Sequence, residues 1–199
     1  KDWSGTYRDF DRAEQGDGLY DGYISAAVTH AIRPDAAWYC WHASRRQAMV
    51  EAAWERHGAF VHQQIIWAKE RAVLTRSWYL WQHEPCFFGW VKGKKPPRVA
   101  AASPLASVWT LESVSRAEDI DHPTPKPVEC FAIPMRQHTE PGDLCYEPFC
   151  GSGSQVIAAE QTGRRCFAME LAPEFVAVSL QRFLDATGKK PVLVEEVAA

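Results

Sequence analysis

Apolar and polar residues follow two different spacings along this chain, and the two spacings predict helices and strands in alternation. Apolar residues three or four positions apart predict helices at 18–32, 44–57, 129–137, 154–162 and 175–184. Shorter apolar runs predict strands at 36–41, 60–69, 84–91, 165–169 and 191–195, with another strand ending before Gly151. Strands that alternate with helices of this length favour crossover connections. The pattern therefore predicts an α/β fold with a mostly parallel sheet.

Local signals add detail to this pattern. Ser44 is a typical N-cap residue, so we expect it to begin the second helix, which Gly58 then ends. Residues 92–121 show neither spacing and are predicted to form a loop.

Composition limits the class of protein. The chain has 199 residues, 46% of them hydrophobic, which suffices for a single domain with one sizeable core. It has no apolar run of about 18 residues and no signal peptide at Lys1, so we expect a cytoplasmic protein. The net charge of -3 restricts any nucleic-acid contact to a local patch. Six cysteines without a Cys-x-x-Cys pair predict reduced thiols and no metal site.

A glycine turn after an apolar strand is the clearest candidate for chemistry. Gly151 and Gly153 would let a ligand approach the backbone closely, and the following helix would present its free N–H groups. Glu170 ends the next strand, where a carboxylate can accept hydrogen bonds from ribose hydroxyls. A third glycine or a Gly-Lys-Ser/Thr sequence is absent, so we expect a nucleoside ligand without a pyrophosphate. Phe149 either packs on that ligand or fills the turn.

Three segments carry a resemblance to a known family. They are Glu147-Pro-Phe-Cys-Gly-Ser-Gly-Ser154, Glu170-Leu-Ala-Pro-Glu-Phe175 and His122-Pro-Thr-Pro-Lys-Pro127. Together they resemble the cofactor motifs of S-adenosylmethionine-dependent DNA amino-methyltransferases of the permuted β group, which methylate adenine N6 or cytosine N4. The resemblance implies a Rossmann-like fold with an antiparallel edge strand and helices on both faces. It also implies S-adenosylmethionine as cofactor and double-stranded DNA as substrate.

The resemblance assigns roles to particular residues. Glu147 stands where the family usually carries aspartate, and its extra methylene changes its reach. The residues expected to bind the cofactor are Thr124, Lys126, Glu147, Phe149, Gly151, Ser152, Gly153 and Glu170.

The family order divides the single domain, residues 1–199, into three parts. Residues 1–91 correspond to the catalytic half without its first strand, 92–121 to a short target-recognition loop and 122–199 to the cofactor-binding half. Positive side chains in the loop would contact phosphate and position the duplex. These are Lys92, Lys94, Lys95 and Arg98. So short a loop predicts short or loose sequence specificity, or dependence on a second subunit.

The family's catalytic tetrapeptide, Asp/Asn/Ser-Pro-Pro followed by an aromatic residue, is missing here. The only Pro-Pro pair is Pro96-Pro97, which lies between a lysine and an arginine. We expect the tetrapeptide upstream of Lys1, so the catalytic residues stay unknown; the alternative is an inactive remnant that binds cofactor or DNA. An NAD-dependent oxidoreductase is disfavoured by the single Gly-x-Gly.

The expected activity is methyl transfer to adenine N6, with cytosine N4 second, in a restriction-modification or prophage setting. A second copy of the chain and a cognate restriction nuclease are candidate partners. Trp78, Trp81 and Trp90 are either half-buried strand residues or, beside arginine and lysine, aromatic rings that stack on bases.

Overall fold

The computed structural model describes residues 13–74, 78–99, 104–114 and 125–194, with side chains from residue 18 onward. Its helices are α1 (Ala13–His30), α2 (Gln47–Arg56), α3 (Glu129–His138), α4 (Ser154–Thr162) and α5 (Pro173–Thr187). Its strands are β1 (Trp38–Trp41), β2 (Ala59–Val73), β3 (Trp81–Val91), β4 (Val108–Leu111), β5 (Leu144–Glu147) and β6 (Arg165–Ala168). The chain forms two compact units, Lys1–Ser113 with Arg136–Thr139, and Val114–Met135 with Glu140–Ala199.

The sheets of the two units differ in strand direction. In the first unit the order is β1-β3-β2-β4, with β3 antiparallel to both β1 and β2 and with β4 parallel to β2. In the second unit β5 and β6 are parallel. The predicted α/β class is confirmed. However, the sheet is mixed rather than mostly parallel, because β1, β2 and β3 are joined by antiparallel pairing among the described strands.

The core of the first unit is built around Trp54 of α2. Its side chain is 2% exposed and meets the rings of Trp38 and Phe87 edge-on, with centroids 5.4 and 6.1 Å apart. Helix α1 adds Ile24 to the same cluster. Such edge-to-face pairs add to the free energy gained by burying the rings themselves. The cluster therefore fixes both helices on the sheet.

Close packing around Trp54 restricts Gly89 in the middle strand β3. Gly89 pairs with Trp38 on one side and Val61 on the other. A Cβ atom at this position would lie 2.0 Å from the carbonyl oxygen of Phe60 and 2.9 Å from Cζ3 of Trp54. Only glycine fits without moving the backbone.

The second unit has a smaller core between α3, α4 and the parallel strands. Ala132 and Met135 of α3 pack with Ala158 and Ala159 of α4, and Cys145 of β5 lies against them. Gly163 ends α4 in the left-handed conformation at φ 73°, as the sequence predicts.

Three local predictions are wrong. Ser44 does not cap α2: it begins a 3-10 turn, Ser44–Arg46, and α2 starts at Gln47. The predicted loop 92–121 contains β4, whose pairing with β2 could not be read from its own four residues. The predicted final strand is not formed over 191–194, where the apolar side chains are exposed, and residue 195 lies outside the described range.

Among the described helices, none combines the length and apolar character required to cross a lipid bilayer.

We expect Gly89→Ala to lower the free energy of unfolding by about 1–3 kcal/mol or more, because the added methyl group overlaps a strand carbonyl. Gly22→Ala is the matched control, since Gly22 lies in α1 and has nothing within 4 Å of an added Cβ. That change should stabilise the protein by up to about 1 kcal/mol through helix propensity. Urea unfolding of both variants measures the difference; equal stabilities would contradict the packing described.

Candidate functional site

The glycine turn, residues 148–153, follows the carboxyl end of β5 and lies beside the end of β6. The two strands are in parallel register from Leu144 opposite Arg165 to Glu147 opposite Ala168. Beyond them, Met169 N donates to the Glu147 carbonyl at 2.8 Å, and Cys150 N donates to the Met169 carbonyl at 2.8 Å. Both chain segments therefore leave the sheet together, as a ligand site at the carboxyl edge of parallel strands requires.

The carboxylate of Glu170 joins the glycine turn to helix α5. Its Oε2 atom accepts a hydrogen bond from Gly151 N at 2.7 Å, and Oε1 accepts one from Ala172 N at 3.0 Å. A carboxylate has about four lone-pair sites, so each oxygen can accept a further bond. Glu170 thus shapes the turn and keeps acceptor capacity for a ligand. The sequence predicted only the second role.

Glu147 places a second carboxyl group beside the turn. Its Oε1 atom accepts a hydrogen bond from Phe149 N at 2.7 Å. Burial raises the pKa of the Glu147 carboxyl, and the Glu170 carboxylate raises it further, whereas the Phe149 N–H and the Lys126 ammonium lower it. The charged groups of Lys126, Glu147 and Glu170 therefore lie close enough to influence one another.

Both glycines of the turn have positive φ, 52° at Gly151 and 77° at Gly153. Gly153 also has a close neighbour: a Cβ atom there would lie 2.7 Å from Cβ of Ser179 in α5. The absence of a side chain at Gly153 thus allows α5 to pack against the start of α4, a contact that the sequence did not predict.

Arg182 of α5 is a site residue that sequence reasoning missed. Its Nη1 atom donates to the carbonyl of Ser152 and, at 3.1 Å, to Oγ of Ser154. The Ser154 hydroxyl in turn donates to the carbonyl of Lys126 at 2.6 Å. Both serines are buried, so the guanidinium and the hydroxyl satisfy polar groups inside the turn. No signal in the sequence separates Arg182 from any other polar residue of an amphipathic helix.

The structure brings most of the predicted cofactor residues together within the second unit, and Thr124 lies outside the described residues. Phe149 is 53% exposed, so its ring does not fill the turn. Those brought together are Lys126, Glu147, Phe149, Gly151, Ser152, Gly153 and Glu170.

Cysteines near the turn are not arranged for metal binding or nucleophilic attack. None of the six cysteines forms a disulfide bond. Burial raises the pKa of Cys145 and of Cys150 to about 11, which keeps both thiols protonated at neutral pH. The described part of the chain contains no group of three or more potential ligands that could hold a metal ion.

The basic loop, residues 92–98, belongs to the first unit. The four side chains predicted to bind DNA are exposed: Lys92, Lys94, Lys95 and Arg98. Backbone hydrogen bonds hold both ends of the loop, from Lys92 N to the Gly58 carbonyl at 2.9 Å and from Val99 N to the Gln137 carbonyl at 3.0 Å. The charges are thus carried by an anchored segment.

His138 fixes the basic loop to the sheet. Its Nδ1 atom lies 2.7 Å from the carbonyl of Pro97 and its Nε2 atom 3.0 Å from the hydroxyl of Tyr39. The imidazole stacks on Phe88 with ring centroids 5.3 Å apart. With Nδ1–H donating to Pro97 and Nε2 accepting from Tyr39, a neutral ring satisfies both bonds. Burial lowers the pKa of His138, which agrees with this assignment.

Comparison with known proteins identifies the class. A sequence model of the DNA methylase family, the N6/N4 methyltransferases, matches residues 21–181, and the chain belongs to this family. "Putative methylase YubD" of Escherichia coli (strain K12) is 27% identical over 153 residues, covering 76% of this chain and 63% of that protein. The chain therefore spans less than two thirds of this curated relative.

Solved structures show the same fold. The crystal structure of the M1.HpyAVI–SAM complex superposes with a TM-score of 0.73 at 21% identity, covering 86% of this chain and 83% of that one. The PvuII DNA methyltransferase, a cytosine-N4-specific enzyme, superposes with a TM-score of 0.68 at 20% identity, covering 84% of this chain and 71% of that one. The predicted family and its α/β methyltransferase fold are thereby confirmed.

Two histidines, one buried and one partly buried, predict how stability depends on pH. Burial lowers the pKa values of His42 and His138, so below pH 6.5 the unfolded chain binds protons that the folded protein does not. The free energy of unfolding should therefore decrease as the pH falls through about 6.5 toward 5. His138→Gln should flatten this decrease, because it removes one of the two groups that bind a proton on unfolding. Urea unfolding at several pH values measures the slope, and an identical slope in His138→Gln would contradict the neutral-ring assignment.

Proposed function

We propose that this chain is the S-adenosylmethionine-binding part of a DNA amino-methyltransferase, which transfers a methyl group to the exocyclic amine of a base in double-stranded DNA. The observation that carries the proposal is the bond between Glu170 and Gly151, which places an acid with free acceptor capacity at the carboxyl edge of two parallel strands. Membership of the DNA methylase family supports it.

The residues of the turn suit this cofactor. When bound, S-adenosylmethionine supplies a methyl group attached to a positively charged sulfur. The Glu170 carboxylate would accept hydrogen bonds from its ribose hydroxyls. The exposed ring of Phe149 would pack on its adenine. Glu147 would offset positive charge, and Lys126 would face the carboxylate of the methionine part.

The same charges disfavour a dinucleotide. Two carboxyl groups, Glu147 and Glu170, hydrogen-bond to the backbone of the glycine turn at Phe149 and Gly151. A pyrophosphate at this place would be repelled by them and would compete for the same N–H groups. The arrangement thus favours a cationic nucleoside over NAD.

The base that receives the methyl group is proposed as adenine N6, with cytosine N4 as the second candidate. The PvuII enzyme, whose solved structure is similar, is specific for cytosine N4, which gives this alternative an observation in its favour.

The anchored basic loop, with Lys92 at its start and Arg98 at its end, would contact phosphates. A second copy of the chain and a cognate restriction nuclease are proposed partners, and the cytoplasm is the proposed location.

Calorimetry with S-adenosylmethionine tests the cofactor site. Glu170→Gln should weaken binding by roughly 10- to 150-fold, because a hydrogen bond to a charged group contributes about 1.5–3 kcal/mol. Glu174→Gln, exposed in the first turn of α5, is the matched control and should bind like the original chain. Unfolding curves of both variants separate lost binding from lost folding. Binding of NAD with no binding of S-adenosylmethionine would overturn the proposal.

A methyl-transfer assay tests the activity. DNA incubated with tritium-labelled S-adenosylmethionine and then digested to nucleosides should yield labelled N6-methyladenine when the chain is extended by a segment that carries the family's catalytic tetrapeptide. Labelled N4-methylcytosine would select the second candidate instead. Cofactor binding with no transfer by that extended protein would identify an inactive binding module.

A further inference from the structure

The end of the β2–β3 hairpin exposes aromatic side chains that neither core covers. Trp78 is 98% exposed and Tyr79 is 87% exposed, and together they are named here the aromatic tip. On the same two strands, Trp67 and Trp90 are only 2% and 6% exposed. The hairpin thus buries its tryptophans along its length and exposes them at its end. A nearly complete exposure of so large an apolar ring points to a binding role.

The hairpin is bent just before the aromatic tip. Ala68 pairs with His83 and Val73 pairs with Trp81, so four residues of β2 lie opposite Gln82 alone. Gln82 Nε2 donates to the carbonyl of Lys69 at 3.1 Å, which satisfies one backbone acceptor inside this bulge. Bulges bend a strand and increase its twist, so the tip points in a direction different from the rest of the hairpin.

An ion pair supports the base of the bend. Lys69 Nζ lies 2.7 Å from Glu84 Oε1, and both side chains are largely buried, with 15% and 26% exposed. The same ammonium group lies 5.0 Å from the ring centroid of Trp67. Paired groups at the base of the bend therefore help to set the direction of the tip.

The segment that carries the tip has a small excess of positive charge in a chain that is negative overall. From Lys69 to Glu84 the sequence contains one lysine, two arginines and two glutamates, whereas the whole chain carries -3. Arg71, in the bulge, is exposed. Exposed aromatic rings and an exposed guanidinium on one hairpin suit a partner that combines negative charge with flat rings. A purely apolar protein partner would leave this charge without a counterpart.

We propose that the aromatic tip is a DNA contact, in which Trp78 or Tyr79 lies against an unstacked base and Arg71 contacts a phosphate. This inference rests on the proposed function, in which DNA is the substrate. The tip is separate from the basic loop: the strand β3 between them has 11 residues and is about 33 Å long. Each contact can therefore be removed without altering the other.

Binding of a labelled mixed-sequence duplex, followed by fluorescence anisotropy, tests the proposal. Trp78→Ala should weaken binding by roughly 5- to 150-fold, the range for loss of one aromatic–base stack. Trp78→Phe keeps a ring and should retain most of the affinity. Arg71→Ala should reduce the slope of log K against log salt by about 0.9, the value for one lost phosphate contact.

Leu193→Ala is the matched control, because Leu193 is also a large apolar residue, 91% exposed, in the second unit. It should bind DNA like the original chain. All these side chains are exposed, so thermal unfolding should be unchanged, and Tyr79→Ala gives a second, independent variant of the tip.

Two results would overturn the inference. One is equal DNA affinity of the original chain, Trp78→Ala and Tyr79→Ala. The other is a change from dimer to monomer in these variants with unchanged DNA affinity, which would assign the tip to self-association. Failure of the proposed function is recognised separately, since it would abolish S-adenosylmethionine binding by the original chain, a measurement that uses no DNA.

Discussion

One carboxylate, that of Glu170, joins three parts of the second unit: the end of β6, the glycine turn and the start of α5. It does so through two backbone N–H groups, those of Gly151 and Ala172. Without such an acceptor, these N–H groups of the turn and of the helix start would lack hydrogen-bond partners. An unpaired N–H group lowers stability where water is excluded. The nearby Glu147 carboxyl is held in the same way by Phe149 N. Both acidic side chains of the site therefore also hold the backbone of the turn in its conformation.

The first unit carries two surfaces for which we propose contacts with DNA. The basic loop is anchored by backbone bonds and by His138, so its lysines are exposed on a fixed segment. The aromatic tip lies beyond the opposite end of β3 and is directed by a bulge. Phosphate contacts give affinity without information on sequence, and aromatic contacts engage bases that have left the stack. The two proposed kinds of contact would thus lie on one hairpin and the loop that follows it.

The sequence was a sufficient guide wherever the signal is local. Helix periodicity predicted the five helices of the described residues, with ends that differ by up to five positions, and Gly163 ends α4 in the left-handed conformation. The motifs around Lys126, the turn and Glu170 indicated a DNA amino-methyltransferase, and family membership bears this out. Each of these signals depends on neighbouring residues or on a motif, so a single chain is enough to read it.

Tertiary structure decided what depends on residues distant in the chain. Strand β4 forms by pairing with β2, whereas residues 191–194 pair with no described strand. Arg182 and Ser179 reach the turn only through the packing of α5. Trp90 is buried and Trp78 is exposed because they occupy different parts of the hairpin. The sequence by itself determined the elements and the family, because those are encoded locally. Which side chains and backbone groups contact one another was decided by the tertiary structure. Hydrogen bonds and burial depend on which distant segments come together.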